Sequence, residues 1–304
     1  MRARRGLRDL ADRAEAGLAW LGLALMRLIG GDRFTRLAGA AGRWAGRRVP
    51  ALHRRVAENL TLLGRDDDAR ALSSQVCGCF AQTVADYWRL DELAAHPERI
   101  AAEGLEHLHA PLEAGRGVVI AGAHFGGWEA VRLAARSAAR RDCALIYRAF
   151  NNPRVDAIAL DKIRPGGEPV LHKGAKGTRA LLRHVGRGGM AMVLVDQRQT
   201  GAPLIPFLGR EAETATAAAD LALRFDAALI TARALRRGDG LSFDVRFEPE
   251  VPPSDPETMM REVNDRISAW VEAHPGQWFW LHRRWKLRDR GERIRAAREG
   301  EDAG

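Results

Sequence analysis

The chain has 304 residues, 46% hydrophobic and 29% charged, enough for one large α/β domain with extra helices or two small domains around a sizeable core. It contains no internal repeat and no long Pro/Ser linker. A net charge of +9 favours acidic partners (nucleic acid, anionic lipid, an acidic carrier protein) without choosing among them.

Ala16 to Met26 is an uncharged, mostly apolar run. As a helix it spans ~16 Å, short of the ~30 Å of bilayer hydrocarbon. Asp9, Asp12 and Glu15 precede it and argue against a cleaved signal peptide. Leu7, Leu10, Ala14, Leu18, Leu21, Leu25 and Leu28 recur at helical spacing, flanked by Arg4, Arg5, Arg8 and Arg13. Residues 1–30 therefore read as a basic amphipathic helix that anchors at a membrane interface; packing on the protein's own core is the alternative. Residues 31–100 read as helices, with apolar residues at helical spacing over 54–63 and 66–90. Cys77, Cys79 and Cys143 lack zinc-knuckle spacing and read as reduced thiols.

From residue 117, short apolar runs alternate with amphipathic segments. Candidate strands are 118–121, 144–147, 190–195 and 228–231, with 204–208 weaker. Candidate helices are 129–140, 153–163, 178–186, 214–225 and 256–273. This alternation predicts an α/β fold, a mainly parallel sheet flanked by helices, with the core at 101–288. Residues 242–248 alternate Phe243, Val245 and Phe247, as an edge strand with one wet face does. His107 and His109 fall in a surface-like loop, and 289–304 is a charged tail.

Ligands of open α/β sheets sit beyond the carboxyl ends of the strands. His124 follows the first run, Arg148 closes the second and Asp196 closes the 190–195 run. His124 and Glu129 lie five residues apart, ~140° apart on a regular helix. They can meet only if His124 ends a strand and Glu129 opens the next helix, with Gly126 and Gly127 turning the backbone between them. The carboxylate would then hold one ring nitrogen and leave the other to take a proton; a buried, satisfied histidine is the alternative. Neither the His-Glu-x-x-His zinc spacing nor a Gly-x-Ser-x-Gly elbow is present, so no metal and no serine nucleophile is expected. Arg148 reads as a phosphate or carboxylate contact or as a partner of Asp156. Asp196, at a buried strand end, needs a cationic partner, with Arg164 and Arg148 as candidates. The 206–214 segment (Pro-Phe-Leu-Gly, then Thr214) reads as a turn before a helix. The 274–286 segment mixes three tryptophans with Arg283, Arg284 and Lys286; it suits membrane headgroups, nucleic-acid stacking or a capped core helix. No nucleic-acid-binding signature is present.

In order, His-Phe-Gly-Gly-Trp-Glu (124–129), Tyr-Arg…Asn-Pro-x-x-Asp (147–156), Val-Asp-Gln (195–197), Pro-Phe-Leu-Gly…Thr (206–214) and Gln-Trp-Phe-Trp-Leu-His-Arg-Arg-Trp-Lys (277–286) resemble the bacterial lipid A biosynthesis lauroyl/myristoyl acyltransferases. The resemblance covers roughly residues 15–288. It implies a glycerolipid-acyltransferase-like fold with an N-terminal membrane helix, at the cytoplasmic face of the inner membrane. The reaction it implies passes an acyl chain from acyl carrier protein to a hydroxyl of a lipid A precursor without a cofactor. It makes His124 the base, Glu129 its partner, and Arg164 and Asp196 a second catalytic pair, and it assigns Arg148, Asn152, Gln197, Thr214, Arg283 and Arg284 to substrate binding. The chain departs from the family pattern at Arg198, over 215–219, and in its short N-terminal apolar run.

Overall fold

The structure is a computed structural model that describes residues 2–285, with side chains from Ala11 onward. Lys286, the tail at 289–304 and the side chains of Arg4, Arg5, Leu7, Arg8 and Leu10 lie outside the described residues. The chain opens with helices α1 (Arg2–Ile29), α2 (Gly31–Arg48), α3 (Pro50–Leu62), α4 (Ala69–Tyr87) and α5 (Leu90–Ala95). Pro50 starts α3, where its missing N–H leaves no bond unmade. The Asp68 carboxylate caps α4 by accepting from Arg70 N (2.9 Å) and Ala71 N (3.0 Å). Gly39, Gly42 and Gly46 place the backbone of α2 directly against α4. A Cβ at 42 or 46 would collide with the carbonyl oxygen of Cys77 or Ser73.

Among the described residues no single helix is long and apolar enough to cross a membrane; Ala11–Ile29 and Gly31–Arg48 meet that test only together, as a pair bent by 119°. One face of α1 packs on the protein and the other is exposed. Ala16, Leu23 and Met26 are buried, whereas Leu18, Leu21, Leu25 and Leu28 stand in solvent.

The rest alternates: β1 (Ile100–Glu103), α6 (Glu106–Glu113), β2 (Val118–Gly122), α7 (Glu129–Ala139), β3 (Cys143–Tyr147), α8 (Pro153–Ile163), β4 (Val170–His172), α9 (Ala175–Val185), β5 (Met190–Leu194), β6 (Leu204–Phe207), β7 (Arg210–Glu213), α10 (Ala217–Arg224), β8 (Ala228–Arg236), β9 (Phe243–Glu250) and α11 (Pro256–Ala273). Seven strands form one sheet in the order β1-β9-β8-β2-β5-β3-β4, and β6 and β7 pair separately. Every neighbouring pair in the large sheet is parallel except β8 and β9. The two faces pack differently. Val118 and Ile120 join Trp128, Val131 and Leu133 on one side; Val119 and Ala121 join residues of α10 and α11 on the other, as the two-residue period of a strand requires.

Two expectations change here. The 242–248 strand is interior, because β1 pairs along its outer side; β1 is only four residues long and gives no alternation of its own. His107 and His109 lie in α6 rather than in a loop.

Candidate active site

Strands β2 and β5 are parallel neighbours with Gly122 opposite Leu194. Two residues further on, the same register brings His124 beside Asp196. Val195 N donates to Gly122 O (3.0 Å) and His124 N to Asp196 Oδ2 (3.0 Å). The imidazole Nδ1 lies 2.9 Å from Asp196 Oδ1, and Trp278 Nε1 donates to Oδ2 at 2.9 Å. Asp196 is 3% exposed. Burial pushes its carboxyl pKa up, but the His124 charge and the hydrogen bonds from His124 and Trp278 outweigh that and hold it below the usual value. The carboxylate fixes the tautomer with its proton on Nδ1 and leaves Nε2 as the basic nitrogen. The imidazole side chain is 20% exposed, so it is reachable.

The loop carrying His124 is clamped from both sides. Phe279 N donates to His124 O (3.0 Å), Gly126 N to Gln277 O (2.8 Å) and Gly127 N to Ala234 O (3.1 Å). Gly126 has φ +54, and a Cβ there would collide with the Ala234 carbonyl; a Cβ on Gly127 would enter the Phe243 ring. The two glycines are thus required by close approach as well as by the turn. Trp128 meets the imidazole edge-on, with ring centroids 5.1 Å apart, and Phe279 lies at 6.2 Å. Phe80 packs on Phe279 at 4.5 Å, so the reachable nitrogen opens within an aromatic frame.

Glu129 opens α7 as expected, but it does not hold His124. It is 3% exposed, and both its oxygens are taken: Tyr87 OH donates to Oε1 (3.0 Å) and Arg132 Nη1 to Oε2 (2.6 Å). Trp128 Nε1 in turn donates to Tyr87 OH (2.7 Å). The Tyr87 phenol is pushed well above its ordinary pKa, by burial first and by the Glu129 charge second, so it stays a donor. Glu129 therefore braces the aromatic wall beside His124. The expected pair of Arg164 with Asp196 is also absent. Arg164 is 54% exposed and lies 3.3 Å from Glu168, while the acceptor positions of Asp196 are filled by His124 and Trp278.

Three residues assigned to substrate binding are used up structurally. Asn152 Oδ1 caps α8 through Arg154 N and Val155 N, and its Nδ2 donates to Asp12 O (2.8 Å) and Glu15 Oε2 (2.9 Å), tying α1 to α8. Thr214 is 0% exposed; its hydroxyl donates to Ala212 O and accepts from Arg284 Nη2 (2.6 Å). Arg284, equally buried, also donates to Glu213 O (2.6 Å). Arg148, Gln197 and Arg283 are exposed. Sequence reasoning passed over Tyr87, Arg132, Trp278 and His282. Arg132 had a signal, three residues beyond Glu129 on one helix face. His282 Nε2 accepts from Arg198 N (2.9 Å), and burial lowers its pKa, so it is a neutral imidazole beside Asp196.

An imidazole oriented by a buried carboxylate at the carboxyl edge of an α/β sheet can accept a proton from a bound substrate. The family described as bacterial lipid A biosynthesis acyltransferase matches residues 10–287, and the chain belongs to that family. It is 26% identical over 222 residues to the lipid A biosynthesis lauroyltransferase of Escherichia coli K12, covering 70% of each chain. To the lipid A biosynthesis acyltransferase of Haemophilus influenzae it is 22% identical, over 90% of this chain and 89% of the relative. The phosphatidylinositol mannoside acyltransferase of Mycobacterium tuberculosis H37Rv is 28% identical over 218 residues, 67% of this chain and 65% of the relative.

Proposed function

We propose that the protein transfers a fatty acyl chain from acyl carrier protein to a hydroxyl of a lipid A precursor, at the cytoplasmic face of the inner membrane. The observation that carries this reading is the His124 Nδ1–Asp196 contact of 2.9 Å, which leaves Nε2 as a base inside an aromatic frame. Nε2 takes the proton of the acceptor hydroxyl as its oxygen attacks the thioester carbon. Backbone N–H groups near His124 steady the oxyanion, a contribution of ~3 kcal/mol in comparable sites. The tetrahedral adduct then expels the carrier thiolate, which recovers the proton from the imidazolium, and the new oxygen ester leaves. The thioester supplies the driving force, and no cofactor is invoked. Arg148, Gln197 and Arg283 are candidate contacts to anionic parts of the substrates.

The reading places the enzyme on the membrane through α1 and α2. Of the exposed large apolar side chains, Leu18, Trp20, Leu21, Leu25, Leu28, Leu37, Trp44 and Val49 fall on or next to these helices, beside the exposed arginines 33, 36, 43, 47 and 48. Apolar and basic side chains together suit an anionic bilayer surface. The same chemistry on another glycolipid is the second reading, favoured by the identity to the mannoside acyltransferase. Purified protein given acyl carrier protein thioesters and a panel of acceptors, with products read by mass spectrometry, tests both. An acylated lipid A precursor supports the first, a different acylated glycolipid supports the second, and hydrolysis without transfer rejects both.

A further inference from the structure

A cavity of about 530 Å³ opens beside Gln277, the residue whose carbonyl holds Gly126. Arg43 from α2, Gln75 and Gln82 from α4, and Arg236 and Arg237 from the end of β8 line it, and no carboxylate does. The acids that pair with Arg236 and Arg237, Asp86 and Asp244, are not part of its wall. Arg43 makes no side-chain hydrogen bond or ion pair among the described residues. Gln82 is 8% exposed, lines the cavity, and its amide also lacks a partner among the described residues. The Nε of Arg236 is buried and unpartnered as well. Two glycines make room for the amides. A Cβ on Gly240, whose φ is +73, would collide with Gln82 Nε2, and one on Gly276 with Gln75 Oε1.

The Arg43 guanidinium and the Gln82 amide reach the cavity with no protein partner among the described residues, so both are open to a ligand. A ligand that engages guanidinium and amide groups together is anionic and rich in acceptors. A phosphate offers several acceptor oxygens to guanidinium forks and amide N–H groups at once, and the volume is in the range of small-molecule sites. We propose that this cavity binds a phosphate ester, in a site separate from His124. The phosphate reaches it as a free ester or as a lipid headgroup; Arg43 stands next to Trp44 on the exposed face of α2, where a headgroup would lie.

The test uses the full chain in detergent micelles, titrated with inorganic phosphate and with glucose 1-phosphate at fixed ionic strength. In parallel, flotation uses vesicles of phosphatidylcholine with or without phosphatidic acid. Saturable binding is expected to weaken at least about tenfold in Arg43→Gln and Gln82→Glu, the loss of a charge-assisted contact, and to stay unchanged in Lys176→Gln, an exposed cation outside the cavity. Gln82→Met, checked by thermal unfolding, separates lost binding from lost folding. Binding of the soluble probes identifies a free ester; binding only to phosphatidic acid vesicles, abolished by Gln82→Glu, identifies a headgroup. No saturable binding by the wild type, or equal weakening in Lys176→Gln, overturns the proposal.

Discussion

Changing Asp196 to Asn tests the proposed base directly. The amide is nearly isosteric. Its oxygen can accept the two N–H groups that now reach Oδ2, from His124 N (3.0 Å) and Trp278 Nε1 (2.9 Å). Its NH2 then faces His124 Nδ1, demands a lone pair there and moves the ring proton to Nε2, the nitrogen needed as base. The charge is lost as well. An imidazolium charge about 4 Å from a carboxylate, at an effective dielectric constant of about 20, is stabilised by roughly 4 kcal/mol, on the order of 10³ in rate. The two effects together predict a fall in kcat of about 10³ to 10⁴, the order found when a triad carboxylate becomes an amide. The assay is release of carrier thiol from an acyl thioester, with far-ultraviolet circular dichroism as the folding check. Glu129→Gln is the companion. It leaves Arg132, 0% exposed, with an uncompensated charge, so it is expected to lower stability by about 3 kcal/mol while the pH profile of the remaining activity keeps its shape. Asp196→Asn retaining activity within about tenfold, or Glu129→Gln shifting the basic limb of the profile, would refute this assignment of roles.

Asp32 joins α2 to the body of the protein through Arg99 (2.6 and 3.0 Å) and Arg89 (2.6 Å), and these contacts, Arg99 first, lower its pKa to about 2 against the opposing effect of burial. A depressed pKa contributes stability above the unfolded value near 3.8 that is lost as pH falls toward 2. Asp32→Asn should therefore be less stable than wild type at pH 7 and converge with it near pH 2 in urea titrations; a constant difference across that range contradicts the linkage. Gly46→Ala gains about 1 kcal/mol of helix propensity but forces a Cβ onto the Ser73 carbonyl, an overpacking cost of roughly 1 to 3 kcal/mol; a net loss in the urea midpoint is expected, and a gain would mean that α2 and α4 can move apart. Leu21→Glu with Trp44→Glu removes two exposed apolar contacts worth about 1.5 to 3 kcal/mol each in a membrane interface, so partition onto vesicles of phosphatidylglycerol and phosphatidylcholine should drop at least about 150-fold, and undiminished flotation would exclude this face as the anchor.

The parallel strands were legible because strands buried on both faces read as unbroken apolar runs, as in Val118–Gly122 and Met190–Leu194. Strands β1, β4 and β7 were not. Each has three or four residues; β1 and β4 take their strand character from pairing with the distant β9 and β3, and β7 from a short hairpin with β6. His124 and Asp196 were each visible as a polar residue at a strand end. That they face each other follows from β2 lying next to β5 in register, which local pattern does not encode; the sequence offers Arg164 and Arg148 as partners of Asp196, and the family resemblance favours Arg164. Tyr87 lies 42 residues before Glu129 and carries no sequence signal for its place in the site. Thr214 and Arg284 mark motifs that look chemical but lock the C-terminal tryptophan segment onto the β6–β7 hairpin.

Why the helix acid turns from the imidazole is a matter of magnitudes. Arg132 is completely buried, and Glu129 is its only ion-pair partner among the described residues; its other contacts are the carbonyls of Gly167 (2.7 Å) and Cys143 (3.4 Å). Swinging Glu129 onto His124 would gain one hydrogen bond to a charged group, about 1.5 to 3 kcal/mol, and strand a buried guanidinium, about 3 to 5 kcal/mol. It would also unseat Tyr87, and with it the anchor of Trp128. Asp196 has no such competing obligation, since its remaining donors come from His124's own backbone and from Trp278. The acid at the end of the neighbouring strand therefore wins the imidazole, and the spacing of five residues between His124 and Glu129 serves the wall beside the imidazole rather than the imidazole itself.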